Sequence, residues 1–365
     1  MKILLVTMEY PPFKGGVGNY YFNLVKNLTG HQVKVFQAGP ASFYKFFWPK
    51  WLKLYFEIKK NVKKDKPDLI WVGQVLPVGE AAYLIKKFYN IHYFASTHGL
   101  DIMLPQQQLR KEKAMRQVLD NAEFITANSN FTKKELLNLG YAEDKVEVVY
   151  PCSNILMNRE INEAKKQIIR NKLNLNNKKV LLTVGRLVER KGQGTVIGTL
   201  PKLLEKFPDL VYVMVGDGPD NAKLKALVFK LGLADKVFFL ENISNEELPA
   251  YYQVADLFVM PAKNLAGDVE GFGIVYLEAA ACGLPAVAGK SGGVMEAVVD
   301  GQTGLLVDPD NQEELAEKIS ELLINRELYK KLANNARSRV ERDFIWAKQA
   351  DKLISKLNLW RKTKK

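Results

Sequence analysis

Two carboxylates carry the strongest chemical suggestion in the chain. Glu270 opens the stretch Glu270-Gly271-Phe272-Gly273-Ile274-Val275-Tyr276-Leu277-Glu278, and Glu278 closes it. The run around Glu278 reads as a helix that stops at Gly283-Leu284-Pro285, a glycine end with proline behind it. A glycine-flanked loop entering a helix N-terminus presents free N–H groups and a partial positive charge, which suits a polyanion. The carboxylates suit the opposite partner, the hydroxyls of a sugar. Loop and acids together point to a ligand with both halves, a nucleotide sugar. The plainer alternative is an amphipathic helix with exposed acids.

A cationic pair complements them. Arg186 and Lys191 follow an apolar strand, between Gly185 and Gly192. A guanidinium grips phosphate oxygens in a bidentate fork, and a lysine adds a mobile point charge. Their place at a strand's C-terminal end, rather than mid-helix, favours pyrophosphate binding over a solvated surface pair.

These residues need elements to position them. Lys2–Val6 reads as a buried strand, residues 10–18 as a loop, Asn19–Leu28 as a helix and Val33–Phe36 as a strand, the start of a doubly wound sheet. The loop is a poor dinucleotide fingerprint: the third glycine after Gly16-Val17-Gly18 is missing, and no acid closes the second strand. Further strands are expected at 68–72, 92–97, 124–127 and 146–151, then an amphipathic linking helix at 158–173 and a boundary at Asn174-Leu175-Asn176-Asn177. Alternation restarts with strands at 180–184, 210–215, 237–240, 257–261, 286–288 and 304–307, each handing its C-terminal end to a Gly- or charge-bearing loop. A final helix runs over about 344–360 into a basic tail. The expected fold class is α/β, with domains at 1–172 and 173–343 and a C-terminal segment, 344–365, packing back on the first.

Length and composition agree with two soluble domains, each with its own core: 365 residues, of which 47% are hydrophobic and 25% charged. The apolar start breaks after four residues at Thr7-Met8-Glu9, so it reads as a strand rather than a signal peptide. Cys152 and Cys282 give neither a disulfide framework nor a metal spacing, and a cytoplasmic location is expected. The net charge of +13 asks for an anionic partner. Much of it falls in residues 43–66, where Phe43, Phe46, Phe47, Trp48 and Trp51 mix with eight lysines. Such a segment suits the inner face of an anionic membrane, although aromatics in a core with lysines in water would read the same way. No zinc-finger, RNP-like or basic-zipper pattern is present, so nucleic acid is not an expected partner.

Six motifs now stand in order: Gly15-Gly16-Val17-Gly18; His98-Gly99-Leu100-Asp101; Gly185-Arg186-Leu187 with Lys191-Gly192; Gly216-Asp217-Gly218-Pro219; Glu270 to Glu278; and Gly304-Leu305-Leu306-Val307-Asp308-Pro309. Together they resemble the retaining glycosyltransferases of family 4, over nearly the whole chain. The resemblance implies a GT-B fold of two Rossmann-like, doubly wound domains facing across a cleft. It implies transfer of a hexose from a nucleotide diphosphate sugar to a hydroxyl of a glycolipid, lipid-linked or polysaccharide acceptor. Arg186 and Lys191, with Gly185, would hold the diphosphate and neutralise the leaving group. Glu270, with the backbone of Gly271, Phe272, Gly273 and Ile274, would grip the donor sugar, and Glu278 the ribose hydroxyls. Gly16 would let the backbone approach phosphate and sugar. His98 and Asp101 would lie near the reacting carbon, although His98 as a strand cap is the structural alternative. Retention is implied by family alone, through same-face substitution in which the leaving phosphate helps deprotonate the acceptor. "Catalytic" for Glu270, His98, Arg186 and Lys191 therefore means positioning and charge stabilisation.

No cofactor or metal is expected. Asp308-Pro309-Asp310 is formally an Asp-x-Asp, the pattern that holds Mg²⁺ or Mn²⁺ on a diphosphate, but it follows a strand at a proline turn, where Asp serves turn chemistry. The segment from Arg186 to Gln193 resembles mannosyltransferases acting on lipid-linked acceptors, which favours GDP-mannose. Tyr150-Pro151-Cys152-Ser153-Asn154 departs from the family's usual turn. Two rivals remain: a nucleotide-sugar epimerase, which would isomerise donor without acceptor, and a non-enzymatic nucleotide-sugar-binding protein, which would show no turnover.

Overall fold

The computed structural model describes residues 1–12, 15–45, 48–155 and 163–364. The chain forms two compact units: Met1–Pro151 with Ile345–Lys365, and Cys152–Phe344.

In chain order the first unit contains β1 (Lys2–Thr7), α1 (Gly16–Asn27), β2 (Gln32–Gln37), α2 (Leu52–Asp65), β3 (Leu69–Val72), α3 (Val78–Tyr89) and β4 (Tyr93–Thr97), then α4 (Leu100–Met103), α5 (Leu109–Asn121), β5 (Ile125–Ala127), α6 (Asn130–Asn138) and β6 (Val146–Val148). Its sheet is parallel, in the order β2-β1-β3-β4-β5-β6. Successive side chains of a strand point to opposite faces, and both faces here are apolar. Leu4, Val6, Ile70 and Val72 join Leu54, Ile58 and Val62 of α2 in one core layer. Ile3, Leu5, Leu69 and Trp71 meet Tyr20, Tyr21 and Leu24 of α1 in the other.

The second unit contains α7 (Glu163–Lys172), β7 (Lys179–Val184), α8 (Gln193–Lys206), β8 (Leu210–Val215), α9 (Asn221–Lys230), β9 (Val237–Leu240), α10 (Leu248–Val254) and β10 (Leu257–Met260), then α11 (Ile274–Ala281), β11 (Ala286–Gly289), α12 (Val294–Ala297), β12 (Gly304–Val307), α13 (Gln312–Ile324) and α14 (Arg326–Asp343). Its parallel sheet runs β12-β11-β10-β7-β8-β9, so strand order reverses between β7 and β10. Leu181, Tyr212, Leu257 and Val287 pack against Val196, Ile197 and Leu200 of α8 and Leu315 and Ile319 of α13.

The last helix, α15 (Trp346–Thr363), belongs to the first unit. It buries Ala350, Leu353 and Leu357 beside Tyr20, Tyr21 and Leu24. Gln349 accepts a hydrogen bond from the Tyr150 N–H (3.0 Å), and the Trp360 indole donates to Glu123 (3.0 Å).

Several elements differ from the sequence expectation. A boundary after residue 172 would separate α7 from the unit it packs in. Arg170 of α7 donates to the Val254 carbonyl at the end of α10 (3.0 Å), and the break in packing falls at Pro151/Cys152. The linking helix expected from 158 begins among residues outside the described set. Helix α1 starts at Gly16 rather than Asn19, taking two glycines into its first turn. A Cβ at Gly18 would stand 3.3 Å from the Tyr10 backbone, so the turn packs closely against the preceding loop there. Within residues 43–66, α2 spends Leu54, Ile58 and Val62 on the core, while Phe56 and Trp48 face outward. Phe46 and Phe47 lie outside the described residues.

Candidate active site

In an open parallel sheet, ligands bind beyond the carboxyl ends of the strands where strand order reverses. In the second unit that point lies between β7 and β10, and the candidate residues follow those two strands. The loop after β7 carries Gly185, Arg186, Arg190 and Lys191; the loop after β10 carries Asp268, Glu270 and Gly271 to Gly273.

Glycines let these loops cross almost in contact. A Cβ at Gly192 would lie 2.2 Å from the Pro261 carbonyl oxygen, and one at Gly293 would lie 2.1 Å from that of Gly271. Gly192 also has φ 74° at the start of α8, a left-handed conformation that side chains resist. Hydrogen bonds join the loops: Lys263 N–H to Arg190 C=O (2.7 Å) and Gly293 N–H to Glu270 C=O (2.9 Å).

The crossing brings four charges together. Glu270 Oε2 accepts from Lys191 Nζ (2.6 Å) and from Arg190 Nη1 (2.5 Å), and Arg190 Nε pairs with Asp268 at 2.7 Å. Lys191, Arg190 and Glu270 are all largely buried, with side-chain exposures of 10%, 13% and 13%. Burial alone would raise the Glu270 carboxyl; Lys191 and Arg190 outweigh it and hold the group at about 2. It is a fixed carboxylate, able to accept from sugar hydroxyls and unsuited to give up a proton.

Glu278 lies one turn further along α11, buried, with Tyr252 Oη donating to its Oε2 at 2.9 Å. Burial pushes its carboxyl up to about 7, against the pull of the Tyr252 bond and of Lys191. Phe272 turns inward onto Phe344, ring centroids 5.6 Å apart, so at that position only the backbone is available to a ligand. Gly273, at φ 88°, opens α11 at Ile274, and the first N–H groups of the helix lack intrahelical acceptors.

Arg186 is exposed, and the structure places it outside the Glu270 cluster. Arg190 occupies that cluster instead. Its signal was the adjacent basic pair Arg190-Lys191, but sequence spacing alone could not say which arginine meets the acid. Asp268 and Tyr252, the outer partners of Arg190 and Glu278, left no distinct sequence signal.

Asp308 and Asp310 serve the turn before α13. Asp308 accepts from the Asp310 N–H (3.0 Å), and Asp310 pairs with Lys263 at 2.5 Å. Among the described residues no group of three acidic, histidine or cysteine side chains is arranged to hold a metal.

In the first unit, His98 and Asp101 stand at the carboxyl end of β4. The His98 N–H donates to Asp101 Oδ1 at 2.8 Å, and His98 Nε2 lies 2.7 Å from Tyr21 Oη. Burial lowers the His98 imidazole to about 4. Burial raises Asp101 to about 7, against the backbone N–H groups of His98, Asp101 and Gly99. Gly16 opens α1, and a Cβ built there meets nothing within 4 Å, leaving the backbone open to approach.

The same unit carries an outward aromatic and basic surface. Trp48, Phe56 of α2 and Phe88 of α3 are exposed, and α2 ends in Lys63 and Lys64. No described helix is long and apolar enough to cross a membrane.

Comparison with known proteins gives a consistent result. A model of the group 1 glycosyl transferases matches residues 165–339, and one of glycosyltransferase family 4 matches residues 14–155. The GDP-mannose-dependent α-(1-6)-phosphatidylinositol monomannoside mannosyltransferase of Mycolicibacterium smegmatis is 31% identical over 344 residues, 88% of this chain and 89% of that protein. The sucrose-phosphate synthase of Thermosynechococcus elongatus superposes with a TM-score of 0.84 at 24% identity, covering 100% of this chain and 99% of the other. Anabaena HepE in complex with UDP-glucose gives 0.82 at 22%, covering 98% and 99%.

Two parallel α/β units with these matches define a glycosyltransferase of GT-B fold. The glycosyltransferase family matches speak against the epimerase and the non-enzymatic binder. The chain belongs to the group 1, family 4 glycosyltransferases, among mannosyltransferase relatives.

Proposed function

We propose that this enzyme transfers mannose from GDP-mannose to a hydroxyl of a phosphatidylinositol-type glycolipid, with retention at the anomeric carbon. The observation that carries the donor half is the cluster of Lys191, Arg190 and Glu270 at the switch point of the second unit. It sets one cation for a diphosphate, Lys191, beside a carboxylate for sugar hydroxyls, with Arg190 bracing that carboxylate. The mannose and lipid halves rest on the mycobacterial relative, whose name states both.

In this reading Arg186 and Lys191 hold the diphosphate and stabilise the charge that grows on it, an effect that one well-placed donor can make worth about 3–4 kcal/mol. Glu270 and the N–H groups at the start of α11 orient the sugar, and Glu278 holds the ribose. His98, Asp101 and Gly16 serve the sugar and the acceptor. As the anomeric C–O bond to phosphate breaks, the acceptor oxygen bonds to the same face, and its proton passes to the departing phosphate oxygen. Lys191 and Arg186 supply the positive charge that a divalent metal supplies elsewhere, so no metal is required. The exposed aromatics and lysines of α2 and α3 support a seat on an anionic membrane, where a lipid acceptor resides.

A thermal-shift panel of GDP-mannose, UDP-glucose, UDP-N-acetylglucosamine and UDP-galactose, with and without EDTA, tests the donor. At about 100 times its dissociation constant a ligand adds about 2.7 kcal/mol of stability. GDP-mannose should stabilise, unaffected by EDTA. Stabilisation by a UDP-sugar instead would overturn the donor, and loss with EDTA would overturn the metal-free chemistry. Anomeric NMR of the product checks retention.

A further inference from the structure

Tyr21 stands in α1, fully buried, against the loops that follow β3 and β4. Its Oη donates to the Gly73 carbonyl, lies 2.7 Å from His98 Nε2, and accepts from the Ser96 hydroxyl. A carbonyl can only accept, so the single phenolic proton is committed to Gly73. Burial holds the phenol well above its ordinary range, so it keeps that proton. The contact with His98 must therefore run the other way, with Nε2–H donating to the phenolic oxygen. For a neutral imidazole this settles the tautomer: the proton is on Nε2, and Nδ1 carries a lone pair.

The surrounding contacts leave the ring little freedom. Tyr20 and Tyr21 meet it edge-on, with centroids 5.2 and 5.5 Å away and planes at 90° and 85°. The His98 backbone is held on both sides, its N–H by Asp101 and its carbonyl by the Asn128 amide at 3.3 Å. Gly73 is also fixed. Its N–H donates to the Val6 carbonyl at 2.8 Å. No described residue hydrogen-bonds Nδ1 of His98.

We propose that Tyr21 is a positioning residue that fixes His98 as the Nε2–H tautomer, so that Nδ1 accepts a hydrogen bond from a substrate hydroxyl. This rests on the reading of His98 as a site residue. It decides the chemical class of the group that His98 meets. An Nδ1 lone pair attracts the O–H of a sugar or polyol and repels a phosphate or carboxylate oxygen; the opposite tautomer would reverse that choice. The relay His98 to Tyr21 to Gly73 carbonyl thus separates hydroxyl recognition in the first unit from anion recognition by the cations of the second.

The chain has three histidines, so long-range ¹H–¹⁵N correlation of the intact protein resolves them, with the His98 signal assigned by its loss in His98→Gln. At neutral pH wild-type His98 should show a protonated Nε2 and an unprotonated Nδ1. An Nδ1–H tautomer or an imidazolium there overturns the proposal without any variant. In Tyr21→Phe the tautomers should mix, and kcat/KM should fall at least tenfold in an enzyme whose donor-induced thermal shift is retained. An unchanged tautomer in Tyr21→Phe overturns the role of Tyr21. If the tautomer is as stated but His98→Ala turns over at the wild-type rate, the site role of His98 fails instead. The two failures are thus separable.

Discussion

Glu270 and Lys191, 79 positions apart in the chain, meet with Oε2 and Nζ 2.6 Å apart inside the second unit. Each is the other's principal charge partner in a largely buried place. Glu270→Gln would leave Lys191 and Arg190 buried with too little negative charge, and removing one partner of such a pair costs about 3 kcal/mol. Denaturant unfolding at pH 7 should show that loss. With the folded carboxyl at about 2, its contribution is present above the unfolded value of 4.5 and lost as pH falls toward 2. The gap between wild type and variant should therefore close on acidification through that window.

The two arginines of the loop after β7 should separate. Arg186 is exposed, and Arg186→Ala should lower turnover more than tenfold while stability stays within about 0.5 kcal/mol of wild type, as for ordinary surface changes. Arg190→Ala should instead destabilise the protein, because Glu270 and Asp268 lose a shared partner. Thermal unfolding beside steady-state rates distinguishes them, and matching behaviour would merge the two roles.

Donor binding should carry the signature of Glu278. Burial raises its carboxyl from 4.5 to about 7, and hydroxyls that donate to it favour the ionised form. Affinity should rise by up to about tenfold between pH 6 and pH 8, the span over which a single such group ionises. Glu278→Gln should weaken binding and flatten the profile, as isothermal titration would show. The sign for folding is opposite: a raised carboxyl makes the donor-free enzyme lose stability as pH climbs from 4.5 to about 7.

Glu123 should anchor the last helix. It accepts from Lys86 (2.8 Å), from His92 Nδ1 (2.6 Å) and from the Trp360 indole (3.0 Å) of α15. Burial would raise its carboxyl, but Lys86, His92 and Trp360 together hold it at about 2. Glu123→Gln should therefore destabilise the enzyme at pH 7, with the difference fading as pH falls from 4.5 toward 2. Hydrogen exchange should speed up first in residues 346–363. Unchanged protection there would rule out the anchor.

The outward lysines of α2 should govern membrane contact. Replacing Lys60, Lys63 and Lys64 by Gln should abolish co-sedimentation with anionic vesicles while leaving transfer to a short-chain, water-soluble acceptor intact. A wild-type enzyme that never binds such vesicles would remove the membrane from the account.

Local signals in the chain were enough to locate twelve strands, the α/β class and the loops that matter. Period, β-branched runs and glycine stops are local signals, and each expected strand lies where those signals stood. The sequence also marked Glu270, Glu278, Lys191 and His98, whose types and positions beyond strand ends suggest chemistry. Which charges meet depends on the folded packing. Arg186 and Arg190 are indistinguishable by type, and only the crossing of two loops at the β7/β10 reversal selects Arg190 for Glu270. Packing likewise joined α7 to the second unit and brought Tyr21, 77 positions away in sequence, onto His98. A hydrogen bond or ion pair depends on separations of a few tenths of an ångström, and across such gaps in the chain those separations are set by how strands order and helices pack.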